Sequence, residues 1–359
     1  MDFTLSPEVE EMRLRIRDFV DREIIPLESD RANYDEHENI AEAPLERLKA
    51  KAKAEGLWSL SLPVEDGGLG YSVTDITACY EEMNRSIFGP VCFNASAPDD
   101  GNMRILSQIA RPDQKEKWLV PIANGDVRSS FVMTEPMPGS GSDPADNRRG
   151  LSAFMFHADQ PGWKIIRRIP IMGPEEHGGH CEIAFDGLEI PDADRLMEVG
   201  DGLKLTQMRL GTARLTHCMR WLGLSRPAME IARDYVQQRV SFGSTLAEHE
   251  GVQWMMGEVA MGIEVGRLLT MRAARRLDEG DFARKEVSMA KIQVADTLHQ
   301  AVDTAIQLNG ARGYSKDTVL EWIYRYARQA RLVDGASEVH KMVLARNYLA
   351  EGNEFWSWK

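Results

Sequence analysis

The chain has 359 residues, an apolar fraction of 43% and a formal net charge of −13. That length allows two or three packed layers or domains, and no long polar tract marks it as disordered. The acidic balance argues against a nucleic-acid surface, because basic pairs such as Arg148-Arg149 and Arg167-Arg168 are short and either meet a phosphate or face water.

Cys79, Cys92, Cys181 and Cys218 show no Cys-x-x-Cys spacing and no nearby His ladder. A metal site or disulfide framework is therefore not expected, and a reducing, cytoplasmic compartment is. The first eight residues lack the basic and then apolar regions of a signal peptide, and no apolar run approaches the roughly 18 residues of a membrane span.

In chain order, Ser6-Pro7 predicts a helix cap and first turn, and Met12, Ile16, Phe19, Val20 and Ile24 recur at helical spacing up to Pro26. Further helices are expected over about 43–55, 73–83, 103–109 and 114–123, with Gly67-Gly68-Leu69-Gly70 as a break. Near Gly125 the pattern changes: 129–134, 151–157, 163–168 and 181–185 read as strands between turn signals. From Asp201 the pattern is helical again, over about 203–242, 252–277, 283–308 and 319–331. Long helices with short links suggest a bundle of at least four. The expected architecture is mainly α: an N-terminal helical domain over 1–126, a small middle β domain over 127–200 and a C-terminal four-helix bundle over 201–359.

Asp334 stands before Gly335 on a tight turn between helices, in Arg331-Leu-Val-Asp-Gly-Ala-Ser-Glu-Val-His340. A carboxylate in a dry pocket between helices is what proton abstraction beside a carbonyl requires. Spacing alone equally admits a helix-capping Asp.

Five segments in this order resemble the acyl-CoA dehydrogenase family. They are Gly56-Leu57-Trp58 with Pro63-Val-Glu-Asp-Gly-Gly-Leu-Gly70; Met133-Thr-Glu-Pro136 with Gly141-Ser-Asp143; Arg239-Val-Ser-Phe-Gly243; Gln307-Leu-Asn-Gly-Ala-Arg-Gly-Tyr314; and Asp334-Gly-Ala-Ser-Glu338. Ser96–Met103 and His177-Gly-Gly-His180 look like the branch whose large eukaryotic relatives carry extra kinase-like domains.

The resemblance implies FAD-dependent α,β-dehydrogenation of an acyl-CoA thioester to the trans-2-enoyl-CoA. Electrons would go to an electron-transfer flavoprotein, in a homodimer or homotetramer. Asp334 takes the place of the family's glutamate base. It is one methylene shorter, about 1.5 Å less reach, with a reference pKa of about 3.9 against about 4.3. Phe131, Met133, Thr134 and Ser142 match the strand and loop along the isoalloxazine and pyrophosphate. Arg239 and Phe242 match a pair that reaches a neighbouring subunit's FAD, and Gln307, Gly310 and Gly313 match the glycine-rich turn against the dinucleotide. In the family that motif ends in two adjacent glycines; here Ala311-Arg312 separates Gly310 from Gly313. Arg214 matches the arginine near the thioester arm, Gly335 accompanies the base at the substrate, and residues 208–221 line the acyl channel or simply pack the core.

One departure matters. Between Asp143 and Gly150 there are only Pro-Ala-Asp-Asn-Arg-Arg, where the family carries several more strands. These include one whose Trp covers a flavin face and whose Thr bonds near the reactive nitrogen. No Trp stands between Trp118 and Trp163, and no Thr between Thr134 and Thr206. Either the 359-residue chain is a shortened form of a protein that has those strands, or the gene product lacks them. A rival reading is therefore a catalytically silent protein of this fold that binds a ligand or partner without flavin. A flavin monooxygenase on the same scaffold fits less well, because such relatives usually lack the acidic base.

Overall fold

The computed structural model describes residues 4–139, 150–175 and 179–357. Nine long helices organise it: α1 (Pro7–Phe19), α2 (Glu42–Ala54), α3 (Val73–Met83), α4 (Asp99–Ile109), α5 (Gly202–Gln238), α6 (Glu250–Asp278), α7 (Arg284–Asn309), α8 (Leu320–Ala327) and α9 (Ser337–Glu351).

Local chemistry sets the helix starts. The Ser6 hydroxyl accepts from the Val9 N–H at 3.2 Å with Pro7 in the first turn. Ser72 and Asp75 form a reciprocal capping box at the start of α3. The remaining free N–H groups there, of Val73 and Thr74, donate to Asp278 at the far end of α6, each at 2.8 Å.

The core runs without interruption from α1 and α3 into α5 and α7 and includes Ile16, Phe19, Tyr80, Trp221 and Val294. α5 spans 37 residues and is buried around most of its middle, which is why its apolar pattern is nearly continuous. Where α3 crosses it, Glu81 and Glu82 bind Arg13 of α1, Arg226 of α5 and Arg267 of α6, so one buried carboxylate pair ties four helices. A second cluster joins Leu62, Met103, Trp118 and Ile122 to Leu196 and Leu205.

The β region is thinner than the sequence suggested. β1 (Ala153–Phe154) pairs only with β4 (Arg195–Leu196), and β2 (Trp163–Arg168) only with β3 (Cys181–Phe185); both pairs are antiparallel. The expected strand over 151–157 shrinks to two paired residues. Residues 129–134 pair with no strand among the described residues. They are held instead by α4, where Asp99 accepts from the Ser129 N–H at 2.7 Å and Asn102 donates to the Ser129 hydroxyl at 2.9 Å. α4 also begins at Asp99, four residues before the apolar periodicity, because Asp99 and Asp100 are buried on such bonds. After α5 a hairpin of β5 (Val240–Ser241) and β6 (Ser244–Thr245) turns the chain.

A Cβ added at Gly223 of α5 would lie 2.5 Å from both the Glu81 carbonyl and the Asn84 Cβ of α3. Gly223→Ala must push the two helices apart and is expected to cost about 2 kcal/mol, read from urea unfolding midpoints.

Candidate functional site

Asp334 lies on the short link between α8 and α9 in the left-handed region (φ 53°), followed by Gly335 (φ 106°). Aspartate tolerates that conformation better than most residues. Asp334 does not cap α9: the capping position is Ala336, with no side-chain cap. Two cations, the half-buried Arg214 and the buried Lys291, hold the turn instead. Arg214 Nε of α5 donates to the Asp334 carbonyl at 2.8 Å. Lys291 Nζ of α7 donates to the carbonyls of Gly335 at 2.7 Å and Ala330 at 3.2 Å. Glycine suits position 335 because residues with side chains rarely adopt its φ, and an added Cβ would also come 3.1 Å from the His340 Nε2.

The Asp334 side chain points at His217 of α5, with Oδ2 3.3 Å from Nε2. That contact is off the line of a directed hydrogen bond, so Oδ2 is buried without a directed donor. Burial pushes the carboxyl up. The His217 contact and the charges of Arg209 and Arg214 outweigh it and hold the group down to about 2. Burial pulls Lys291 down to about 8 and His340 down to about 4, the latter helped by Lys291 and Arg214. His340 Nδ1 faces the Ser288 hydroxyl at 3.0 Å. Glu338 faces solvent, its carboxylate 3.9 Å from Arg331.

Arg209 connects this centre to the expected flavin wall. Its guanidinium lies 4.3 Å from the centre of the Phe131 ring, and Nε donates to Asn102 at 3.2 Å. Phe131 and Met133 are half-buried and Thr134 is exposed, on the unpaired stretch held by α4. Ser142 lies outside the described residues. Arg239, Gln307 and Gly310 are exposed, Gly313 is buried, and Phe242 is 99% exposed at the tip of the β5–β6 hairpin. The Gly310–Tyr314 turn sits at the same end of the bundle as Arg239, with Arg312 lying 6.0 Å over Tyr235 of α5.

The structure thus brings Asp334, Gly335, Arg214 and, through Arg209, Phe131 together, and sets the Arg239, Phe242, Gln307 and Gly310 group on an outer surface. FAD suits this donor set at its dinucleotide end: Gly310 has φ 59° and nothing within 4 Å of an added Cβ, leaving its backbone approachable. It also suits one wall of the ring. The covering strand with its Trp and Thr has no counterpart in the sequence.

His217, Arg209, Lys291 and His340 were missed by sequence reasoning. His217 was reachable, since it follows Arg214 by three residues on the same helix face. Lys291 was reachable as a single cation inside an apolar helix run. Among the described residues, no helix is long and apolar enough to cross a membrane, and no His/Cys/Asp/Glu group of three or more could hold a metal ion.

Comparison with known proteins agrees with the fold. The family models for the acyl-CoA dehydrogenase N-terminal and C-terminal domains match residues 6–126 and 200–349. Acyl-CoA dehydrogenase family member 11 of Gallus gallus is 33% identical over 96% of this chain and 51% of its own length. The chain thus spans about half the length of the first curated relatives it matches. The probable acyl-CoA dehydrogenase FadE2 of Mycobacterium tuberculosis is 33% identical over 98% of this chain and 97% of its own. That alignment runs to 404 positions, whereas 98% of 359 residues is about 352, so about 50 positions have no residue here. A solved structure of a candidate acyl-CoA dehydrogenase from Mycobacterium abscessus is 32% identical, with a TM-score of 0.89 over 97% of this chain and 99% of that one.

His340 yields a pH prediction. In the unfolded chain it titrates near about 6.5, so between that value and the folded value of about 4 the unfolded state binds more protons. Stability contributed at this site is therefore present above about pH 6.5 and lost as pH falls toward 4. His340→Gln removes the slope. Relative to the variant, wild type should lose on the order of 2 kcal/mol between about pH 7.5 and about pH 5, read by urea unfolding at both.

Proposed function

Because the chain belongs to the acyl-CoA dehydrogenase family, we propose that it oxidises an acyl-CoA thioester to the trans-2-enoyl-CoA with Asp334 as the α-proton base. The observation that carries this reading is the half-buried carboxylate on its left-handed turn, joined through Arg209 to the Phe131 wall. FAD is the cofactor of the family and supplies, when bound, the acceptor for the β-hydrogen as hydride. Phe131, Met133, Thr134 and Ser142 are the residues to hold the ring side, and Arg239, Phe242, Gln307, Gly310 and Gly313 the dinucleotide side.

Asp334 accepts the α-proton on its carboxylate, and its own backbone N–H holds the thioester oxygen, where negative charge develops. Arg214 keeps that backbone in place. Arg209, Arg214 and Lys291 add positive potential around the developing enolate. An electron-transfer flavoprotein is the natural electron acceptor, and four cysteines outside any disulfide suit a cytoplasmic setting.

A homodimer or homotetramer is part of the reading. Trp254, Met261, Val265 and Leu268 form an exposed apolar stripe along α6, and Phe242 projects from the hairpin after α5. Phe242→Asp combined with Trp254→Asp is expected to reduce the assembly to monomers in sedimentation velocity.

The test of the main reading is direct. The purified protein should be yellow and dehydrogenate acyl-CoA, and Asp334→Asn should retain flavin while losing about 10²–10⁴-fold in turnover. Wild-type turnover in that variant rejects Asp334 as the base. The missing covering strand favours a second reading, a silent protein of the same fold. An intact mass equal to the 359-residue chain, with no flavin absorbance after incubation with FAD, would establish it.

A further inference from the structure

The Asp334 carboxylate is shorter than a glutamate and sits on a left-handed turn, so its aim depends on what touches the side chain itself. Arg214 and Lys291 grip only the backbone of that turn. The polar side chain facing the carboxylate oxygen is His217, with Nε2 3.3 Å from Oδ2. His217 is itself fixed: its ring stacks on the wholly buried Trp221, with centroids 5.4 Å apart and planes within 17°. Trp221 in turn has the Lys291 ammonium over its ring at 5.5 Å from the centroid. A chain of packed groups thus runs from α7 through Trp221 to the imidazole and on to the carboxylate.

We propose that His217 is the positioning residue of the base: clamped on Trp221, its Nε2 makes a close polar contact, 3.3 Å and off the line of a directed hydrogen bond, with one oxygen of Asp334 and so turns the other toward the substrate's α-proton. The proposal rests on the reading of Asp334 as the base. The proton abstracted from the substrate ends on Asp334, and no bond to His217 forms or breaks.

The surrounding charges make the contact consequential in a measurable way. Around the pair stand Arg209, Arg214 and Cys218 of α5, Lys291 of α7 and His340 of α9, with Asp100 of α4 acting on Arg209. Burial pushes the Asp334 carboxyl up, whereas the His217 contact and the two arginines hold it down to about 2. Removing the imidazole therefore does two opposite things. The carboxylate becomes an intrinsically stronger base, because a stabilising contact to its charged form is gone. It also becomes a less well-aimed one, and aim counts heavily: about 1 Å of misplacement costs on the order of 100-fold in rate. A residue that merely fills space would produce neither effect on the carboxyl.

The experiment compares wild type, His217→Ala and His217→Gln, each first checked for its thermal transition. The Asp334 carboxyl is titrated by carbon-13 NMR on the protein as purified, with Asp334→Asn identifying its resonance. Steady-state kinetics across pH are run on the FAD-loaded enzyme with acyl-CoA.

In His217→Ala the carboxyl midpoint should rise by at least about one pH unit, and the acidic limb of kcat/KM should move the same way. At the same time kcat should fall about 10- to 100-fold, with KM changed less than about threefold. His217→Gln keeps an N–H at similar reach and should return most of kcat. An unmoved carboxyl midpoint with wild-type kcat in a folded His217→Ala overturns the proposal. So does a Gln variant as slow as Ala. If Asp334→Asn itself turns over at the wild-type rate, the reading of the base falls first. If Asp334→Asn is inactive while His217→Ala is normal, only the role of His217 falls.

Discussion

The turn at Asp334-Gly335 is the constraint on which the rest of the site depends. A left-handed aspartate followed by a glycine at φ 106° is not a conformation the backbone holds by preference. It persists because two long cationic side chains reach it from different helices, Arg214 from α5 and Lys291 from α7. Lys291 is only 1% exposed and its ammonium donates to the two carbonyls it grips, which makes it a cross-brace between α7 and the link into α9. The relative placement of α5, α7 and α9 therefore fixes where the carboxylate can be. That placement in turn rests on the close packing of α5 against α3 and the Glu81–Glu82 ion network.

The electrostatics of the centre serve two demands that pull apart. Cations gathered around a buried carboxylate lower its affinity for a proton, which weakens it as a base. The same cations favour an anion forming next to it. On the reading of Asp334 as the base, Arg209 and Arg214 give up basicity in the resting site and gain stabilisation for the enolate. A substrate that displaces water from this pocket strengthens the desolvation that already pushes the carboxyl up, so binding itself would restore basicity. The His217 contact sits at the balance point, because it touches the carboxylate itself rather than the backbone of the turn.

Much of the helical fold was legible, because amphipathic spacing survives wherever a helix has one wet face. Val73–Met83 appears where the sequence placed it, α2, α6 and α7 differ by a residue or two at their ends, and α1 stops at Phe19, the helical spacing up to Pro26 being taken up by a π turn over Val20–Ile24. Legibility failed where burial is polar. Asp99 and Asp100 start a helix that apolar periodicity places at Met103, because Asp99 accepts from Arg128 and Ser129 and one oxygen of Asp100 accepts from Tyr80. It failed again at 129–134, whose β-like composition has no strand to pair with and is held by side chains from α4. At the site, motif order marked Asp334, Arg214 and Phe131. His217, Arg209 and Lys291 carry no motif, and their roles come from helix packing that brings distant residues within bonding distance.

The β region shows how a reduced module can stay attached without closing on itself. Its strands form separate two-stranded pieces, and Ile165, Ile166 and Phe185 remain exposed. Each piece is fastened to helical segments. Gln114 donates to the carbonyls of Ala193 and Arg195, both at 2.9 Å, and Trp118 lies against His157 at 4.3 Å. Arg168 reaches His37 at 2.8 Å and also pairs with Glu175. Charges along β2 and β3, including the Arg167–Glu182 pair at 2.7 Å, blunt the open edges against strand addition. These staples explain how the segment keeps its position with so little sheet.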